Sequence, residues 1–209
     1  MTSTDDLIRS LASAAGARRS PSLQAAFAVT AAASLVCALL LVFSVIGLRP
    51  DFADMAVRMP FAFKLAYTGS LVVGTSIVAL YAATPGASVT ALYALAPAVI
   101  FLVLGVIFDP TAFPIMGRTN TAVAFCVSSI LFLSLPAMIL TFVVMRKGAP
   151  TQPLFAGAVI GLLSASVGAM AYMLHCTNDG TAFVATWYTA ACAIMAVIGA
   201  VVGHRVLRW

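Results

Sequence analysis

Six long apolar runs separated by short polar segments constrain this chain more than any other feature of its sequence. The runs lie at residues 23–48, 61–82, 88–108, 121–145, 154–174 and 182–206. Each has about the 20 residues that an α-helix needs to cross the hydrocarbon core of a bilayer. Only 8% of the residues are charged, whereas soluble domains have about 25%. We therefore predict an all-α, polytopic membrane protein, with a six-helix transmembrane bundle over residues 23–209 and a short polar tail over residues 1–22.

The same runs leave no room for a separate soluble enzyme domain. The chain has no glutamate, and no Ser-His-Asp grouping, HExxH motif, P-loop or dinucleotide fingerprint. We therefore expect a protein that is not an enzyme and needs no cofactor. The first run has about 25 residues, whereas the apolar region of a signal peptide has about 7–15. We predict that this run is a retained transmembrane helix.

The basic residues predict the orientation of the bundle. Six spans place both termini on one side, and cytoplasmic segments carry an excess of Lys and Arg. With the N-terminus inside, seven of the 11 basic residues are cytoplasmic and four are outside. The inner set is Arg9, Arg18, Arg19, Arg146, Lys147, Arg205 and Arg208, and the outer set is Arg49, Arg58, Lys64 and Arg118. We predict that both termini are cytoplasmic.

The loop at residues 174–180 concentrates scarce polar groups: one of two histidines, one of four cysteines and one of six acidic residues. In the predicted topology, Cys176 in this loop and Cys126 near the start of the fourth span both lie at the outer face. Such a pair could be redox-active or bind a thiophilic metal ion, because thiolates are soft ligands. His175 and Asp179 are candidates to complete or tune that site. Alternatively, the two cysteines never meet and pack as small apolar side chains.

Other residues within the spans have plainer interpretations. Cys37 and Cys192 lie in mid-helix positions without polar neighbours, and we predict that they pack in the core. Lys64 lies close to the outer end of its span, and we predict that its ammonium snorkels to the outer headgroups. Gly157 and Gly161 form a GxxxG pair, which predicts a close contact between helices.

The tail contains a short amphipathic pattern with a helix-capping residue, two acids suited to a helix N-terminus, and three apolar residues on one face. These residues are Thr4, Asp5, Asp6, Leu7, Ile8 and Leu11. The pattern allows a peptide that becomes ordered in a groove of a basic cytosolic partner. The alternative is a frayed, solvated N-terminus, because so short a helix is marginal alone in water.

Several stretches of the sequence resemble the NrsF family of bacterial membrane anti-sigma factors. They are residues 121–136 with Cys126, Arg146-Lys147-Gly148-Ala149-Pro150-Thr151 before Pro153, residues 157–161, His175-Cys176, the run from Phe183 to Trp187-Tyr188, and Leu207-Arg208-Trp209. The opening Thr4-Asp5-Asp6-Leu7-Ile8 is also similar to the short cytoplasmic start of that family. The resemblance covers nearly the whole chain and is strongest after Thr121.

The resemblance implies a multi-pass protein of the bacterial inner membrane that holds an extracytoplasmic-function, sigma-F-like sigma factor inactive. It also implies that Cys126 and Cys176 are periplasmic and respond to heavy-metal or oxidative stress, with transient metal binding by the two thiols. The tail is implied to contact the sigma factor. We expect no direct binding of nucleic acid, because the basic residues sit at the ends of the spans. Two alternatives are a membrane thiol oxidoreductase and a small transporter.

Overall fold

The computed structural model describes residues 4, 6, 8–9, 22–84, 89–109, 111–119, 122–148 and 150–208. All regular structure in these residues is helical, which confirms the predicted all-α architecture. The helices are α1 (Leu23–Leu41, continued by a π-helical turn at Val42–Ile46), α2 (Phe52–Met55), α3 (Met59–Ala82), α4 (Ala96–Ile107, preceded by a 3₁₀-helix at Val89–Leu95), α5 (Ala122–Met145), α6 (Pro153–Tyr172) and α7 (Thr181–Val206).

Six of these segments are long and apolar enough to cross a membrane, as the sequence predicts. Their bounds are Leu23–Ile46, Met59–Ala82, Thr90–Ile107, Ala122–Met145, Pro153–Tyr172 and Thr181–Val206. The first span ends two residues before the predicted boundary, because Gly47 has a φ of +85°. Such a backbone conformation favours glycine and turns the chain out of the helix. The π-helical turn just before it is a further local departure from the α-helix.

Helix α6 is the centre of the bundle. In the most apolar stretch of α6, 72% of the residues are buried inside the protein. The corresponding share is 17% for the first span and 11% for the third. Helix α6 packs against α3, α5 and α7. Small residues allow this central position, because they let neighbouring helix backbones approach closely in a membrane.

The contact between α6 and α7 confirms the prediction from the GxxxG pair. Gly157 and Gly161 of α6 face Gly199 and Gly203 of α7, a second pair with the same spacing. A Cβ atom on Gly161 would lie 1.9 Å from the carbonyl oxygen of Met195. The two backbones are therefore in direct contact, with no space for any side chain at this crossing.

The loops gather at two ends of the bundle. We call one the cysteine end; it is formed by residues 47–58, 108–109, 111–119 and 173–180. Its loops are held together by contacts such as the hydrogen bond from the Arg49 amide to the Leu174 carbonyl, 3.2 Å. The opposite end holds residues 22–24, 80–84, 145–148, 150–153 and 203–208. A cavity there is lined by Ser22, Leu23, Gln24, Leu80, Tyr81 and Thr84. The start of the first span and the end of the last therefore lie at the same end.

Candidate functional site

Cys126 and Cys176 meet at the cysteine end. Cys126 lies in the second turn of α5, and Cys176 follows the turn that ends α6. The amide of Cys176 donates a hydrogen bond to the carbonyl of Tyr172, 3.1 Å, which fixes the direction of the loop. Both thiols are buried, and they lie close enough to interact with each other. All four cysteines are free thiols.

The two remaining cysteines have no part in this pair. Cys192 is buried in the middle of α7, and Cys37 is half-buried in α1. Neither lies in a loop of the cysteine end, which agrees with the predicted packing role. Cys192 is therefore a matched internal control for substitutions of Cys126 and Cys176.

The surroundings of Cys176 favour its thiolate. The neighbouring Cys126 thiol and the Lys64 charge lower the pKa of Cys176 below its ordinary value, although burial opposes this. The thiolate is the nucleophilic and metal-binding form of cysteine, so Cys176 is better suited to either reaction than Cys126 is.

An ionic cluster with two buried cations and one exposed acid, Asp51, surrounds the backbone of Cys176. Arg49 donates to both carboxylate oxygens of Asp179, at 2.9 and 3.0 Å, and to both oxygens of Asp51, at 2.8 and 2.9 Å. Lys64 Nζ donates to Asp179 Oδ1 at 2.8 Å. Both cations also donate to the carbonyl oxygen of Cys176, Lys64 at 2.9 Å and Arg49 at 3.1 Å. The cluster therefore joins the first and second spans to the loop that carries the thiol.

The prediction that Lys64 snorkels to the headgroups is wrong. Lys64 is completely buried, and its ammonium is enclosed by Asp179 and the Cys176 carbonyl. Taking a charge out of water is costly unless it is paired and hydrogen-bonded, and both conditions are met here. Arg49 is a second residue whose role the sequence analysis missed, because its carboxylate partner Asp179 lies 130 residues away.

The cluster shifts the ionisation of its members in opposite directions. Burial raises the pKa of Asp179, but the hydrogen bonds and charges of Arg49 and Lys64 outweigh that effect, and the net pKa lies below its ordinary value of 3.8. The pKa of Arg49 is raised, chiefly by its hydrogen bonds to Asp179 and Asp51. Arg49 and Asp179 therefore form a charged pair across the neutral pH range.

His175 and Asp179 lie next to the cysteine pair, but their polar atoms have other partners. His175 Nδ1 is 2.9 Å from the Gly47 carbonyl oxygen, and its ring packs between Phe125 and Tyr172. Among the described residues, no group of three or more His, Cys, Asp or Glu side chains could hold a metal ion. The predicted transient metal site therefore depends on the two thiols, and metal binding stays a prediction.

A cavity of about 270 Å³ opens at the cysteine end. Its walls come from the loop before α5, the first turn of that helix, and the segment between α6 and α7. The lining residues are Arg118, Thr119, Ala122, Phe125, Tyr172, His175, Thr177 and Asn178. Two of these, Tyr172 and His175, are immediate neighbours of the cysteine pair.

The tail residues predicted to contact a sigma factor are only partly described. Thr4, Asp6 and Ile8 are helical and exposed. Asp5, Leu7 and Leu11 lie outside the described residues. Ile8 is 58% exposed, so its apolar side chain is free to contact a partner, and a binding role for the tail stays a prediction.

Comparison with known proteins finds relatives over the full length of the chain. The family model described as "Negative regulator of sigma F" (NrsF) matches residues 11–209. The chain is 31% identical over 216 residues to the probable anti-sigma-F factor NrsF of Azospira oryzae, with 99% of both chains covered. It is 32% identical over 212 residues to the anti-sigma-F factor NrsF of Caulobacter vibrioides, again with 99% of both covered. No solved structure matches.

Proposed function

Because the chain belongs to the NrsF family of negative regulators of sigma F, we propose that it is a membrane anti-sigma factor with a thiol switch. It holds an extracytoplasmic-function sigma factor inactive at the bacterial inner membrane and releases it when Cys126 and Cys176 react with a heavy metal or an oxidant. The relatives are described as anti-sigma factors, which are regulators rather than enzymes.

The orientation in this proposal has both termini in the cytoplasm. The positive-inside count supports it, because seven of the 11 basic residues then lie inside. The cysteine end is accordingly periplasmic. A thiol pair on that side meets an oxidising compartment, whereas the tail faces the cytosol, where sigma factors are found.

The observation that carries the sensing proposal is the contact between two buried thiols at the cysteine end. A two-electron oxidant converts the pair to a disulfide: the S–S bond forms, both thiol protons leave, and the oxidant accepts two electrons. A soft divalent metal ion instead binds both sulfurs and displaces the same two protons. Either reaction changes the distance or the relative orientation of α5, which carries Cys126, and the loop after α6, which carries Cys176.

The ionic cluster offers a route from the thiols to the rest of the bundle. The Cys176 carbonyl accepts hydrogen bonds from Lys64 on α3 and from Arg49 after α1. Movement of Cys176 therefore disturbs contacts of the first and second spans as well as the end of α6. A signal acts through such a route only if it binds the sigma-bound and the released states with different affinity.

Substitution of each cysteine tests the sensing proposal. We expect Cys126→Ser and Cys176→Ser each to abolish induction of a sigma-dependent reporter by cadmium or a hydroperoxide, because one sulfur alone forms neither the bridge nor the two-thiolate site. Cys192→Ser is the matched control, a buried cysteine in a helix interior, and should leave induction intact.

Immunoblots of membrane fractions check that all three variants are inserted at equal levels. Normal induction in both Cys126→Ser and Cys176→Ser would refute the sensing role. Constitutive reporter activity in the uninduced Cys176→Ser strain would instead show that the loop must be intact to hold the sigma factor.

A further inference from the structure

The thiol pair is closed off from solvent, so any signal that reaches it has to pass through the protein. Cys126 is 0% exposed and Cys176 is 1% exposed. The cavity at the cysteine end comes close to both. Tyr172 lines this cavity, and its hydroxyl also interacts with the Cys126 thiol. His175 lines it too and directly precedes Cys176. A side chain that interacts with Cys126 and the residue that precedes Cys176 therefore form part of the cavity wall.

The volume of the cavity limits the size of the compounds that can enter it. The cavity of about 270 Å³ is several times larger than the minimum that a single water molecule requires. That space accommodates a small ion with its hydration shell or a molecule the size of a short hydroperoxide.

The positive charge of Arg118 at the mouth of the cavity further limits which compounds can enter. Arg118 is exposed, and its guanidinium stacks on the ring of Phe113, 4.7 Å from the centroid, which holds the charge in place. The described residues that line the cavity include no carboxylate. A fixed positive charge without a nearby acid repels an approaching cation and favours neutral or anionic species.

We propose that this cavity is the entrance to the sensor, through which small neutral or anionic thiol-reactive compounds reach Cys126 and Cys176 while Arg118 disfavours cationic ones. The inference deepens the sensing function proposed above and rests on it. It makes Arg118 a residue that determines which signals the protein detects, and it predicts that a hydroperoxide or an anionic oxidant arrives faster than a free divalent cation.

The test measures the labelling rates of Cys126 and Cys176 in the purified full chain, in detergent and without sigma factor. The probes are methyl methanethiosulfonate, which is neutral, and its trimethylammonium-ethyl analogue, which is cationic. The cysteine thiolate attacks the sulfenyl sulfur of the probe, so that its alkylthio group forms a mixed disulfide with the cysteine while the bond to the sulfonyl group breaks and methanesulfinate leaves. Mass spectrometry of the digested protein assigns the label to each cysteine. Arg118→Gln removes the charge at the mouth, and Thr177→Trp narrows the cavity at an exposed lining residue.

We expect Arg118→Gln to speed labelling by the cationic probe roughly three- to tenfold, the effect of removing one unit charge near the path, and to leave the neutral probe unchanged. Arg58→Gln, at another exposed arginine of the same end, should change neither rate. Thr177→Trp should slow both probes more than tenfold, whereas Thr151→Trp at the opposite end should not.

Unchanged rates in Thr177→Trp would overturn the proposal, because the thiols would then be reached by another path. Equal acceleration of both probes in Arg118→Gln would overturn the charge selection, since a loosened loop would admit either probe. These outcomes are independent of the sigma factor. If Cys126→Ser and Cys176→Ser retain induction while the labelling results are as expected, the sensing function fails and the entrance stands.

Discussion

Asp179 pairs with two buried cations, Arg49 and Lys64. We expect Asp179→Ala to lower the free energy of unfolding by about 3–5 kcal/mol, the usual loss when one partner of a buried ion pair is removed, because Lys64 is left enclosed without a carboxylate. The double variant Lys64→Met/Asp179→Asn should be more stable than Asp179→Ala, since it leaves no uncompensated ammonium. Denaturant unfolding in detergent measures both.

The pH dependence of the same variants checks the assignment. Burial acts against ionisation of Asp179, but Arg49 and Lys64 lower its pKa below 3.8. Its stabilising contribution is therefore present above that pH and is lost as the pH falls through the folded-state pKa. The difference between wild type and Asp179→Ala should shrink in that acidic range. Asp54→Asn, at an exposed acid, should have little effect; an equal loss in that control would contradict the cluster's role.

Individual residues show where sequence reasoning reaches its limit. The cysteines near one face were predicted because spans and their ends can be read from hydropathy. The burial of Lys64 was not, because hydropathy treats each charge alone, and the compensating Asp179 lies 115 residues further along. One signal was available: the predicted topology puts Lys64, Arg49 and Asp179 at the same end, where opposite charges can pair.

The close crossing of α6 and α7 depends on the glycines that face each other on the two helices. We expect Gly161→Ala to lower the free energy of unfolding by about 2–3 kcal/mol, toward the upper end of the usual cost of overpacking. The reason is that the new methyl group would meet the Met195 carbonyl and force the two helices apart. Gly69→Ala is the matched control in α3, with no atom within 4 Å of the new Cβ.

Thermal unfolding of the two variants in detergent makes the comparison. Gly69→Ala should be neutral or slightly stabilising, because alanine is the better helix former. Equal stability of Gly161→Ala and Gly69→Ala would contradict the close backbone contact described here.

At the level of helices, the sequence predicts contacts better than it predicts irregularities. Gly157 and Gly161 indicated a close crossing because the GxxxG spacing places both on one helix face. The π-helical turn at Val42–Ile46 was not predicted, because no pattern of apolar and polar residues in the sequence distinguishes it from the α-helix before it. It occurs where Gly47 turns the chain so that its carbonyl meets His175, and this contact is visible only in three dimensions.

The whole molecule divides the proposed function between its two ends. Deleting residues 1–20 should abolish co-purification of the sigma factor while membrane insertion is retained, because all six candidate spans lie between Leu23 and Val206. Replacing the same residues by a Gly-Ser linker of equal length is the control for tail length. Affinity purification from membranes followed by immunoblotting of the sigma factor measures binding.

Retained binding in both tail variants would show that the inner loops carry the interaction. Arg146 and Lys147 would then be the residues to substitute next, because they lie at the same end as the start of the first span. Loss of binding in the deletion but not in the linker variant would show that the tail acts as a spacer.

The 3₁₀-helix before α4 has a consequence for the lipid around the protein. Within the part of the chain that the structure describes, the third span has 18 residues, against 24 for the second, and a purely α-helical segment of that length would extend about 27 Å. A 3₁₀-helix rises about 2.0 Å per residue instead of 1.5 Å. With Thr90–Leu95 in that form, the span reaches about 30 Å, which equals the usual hydrocarbon thickness. The stretched first third thus lets the shortest and most lipid-facing segment match the bilayer without thinning it.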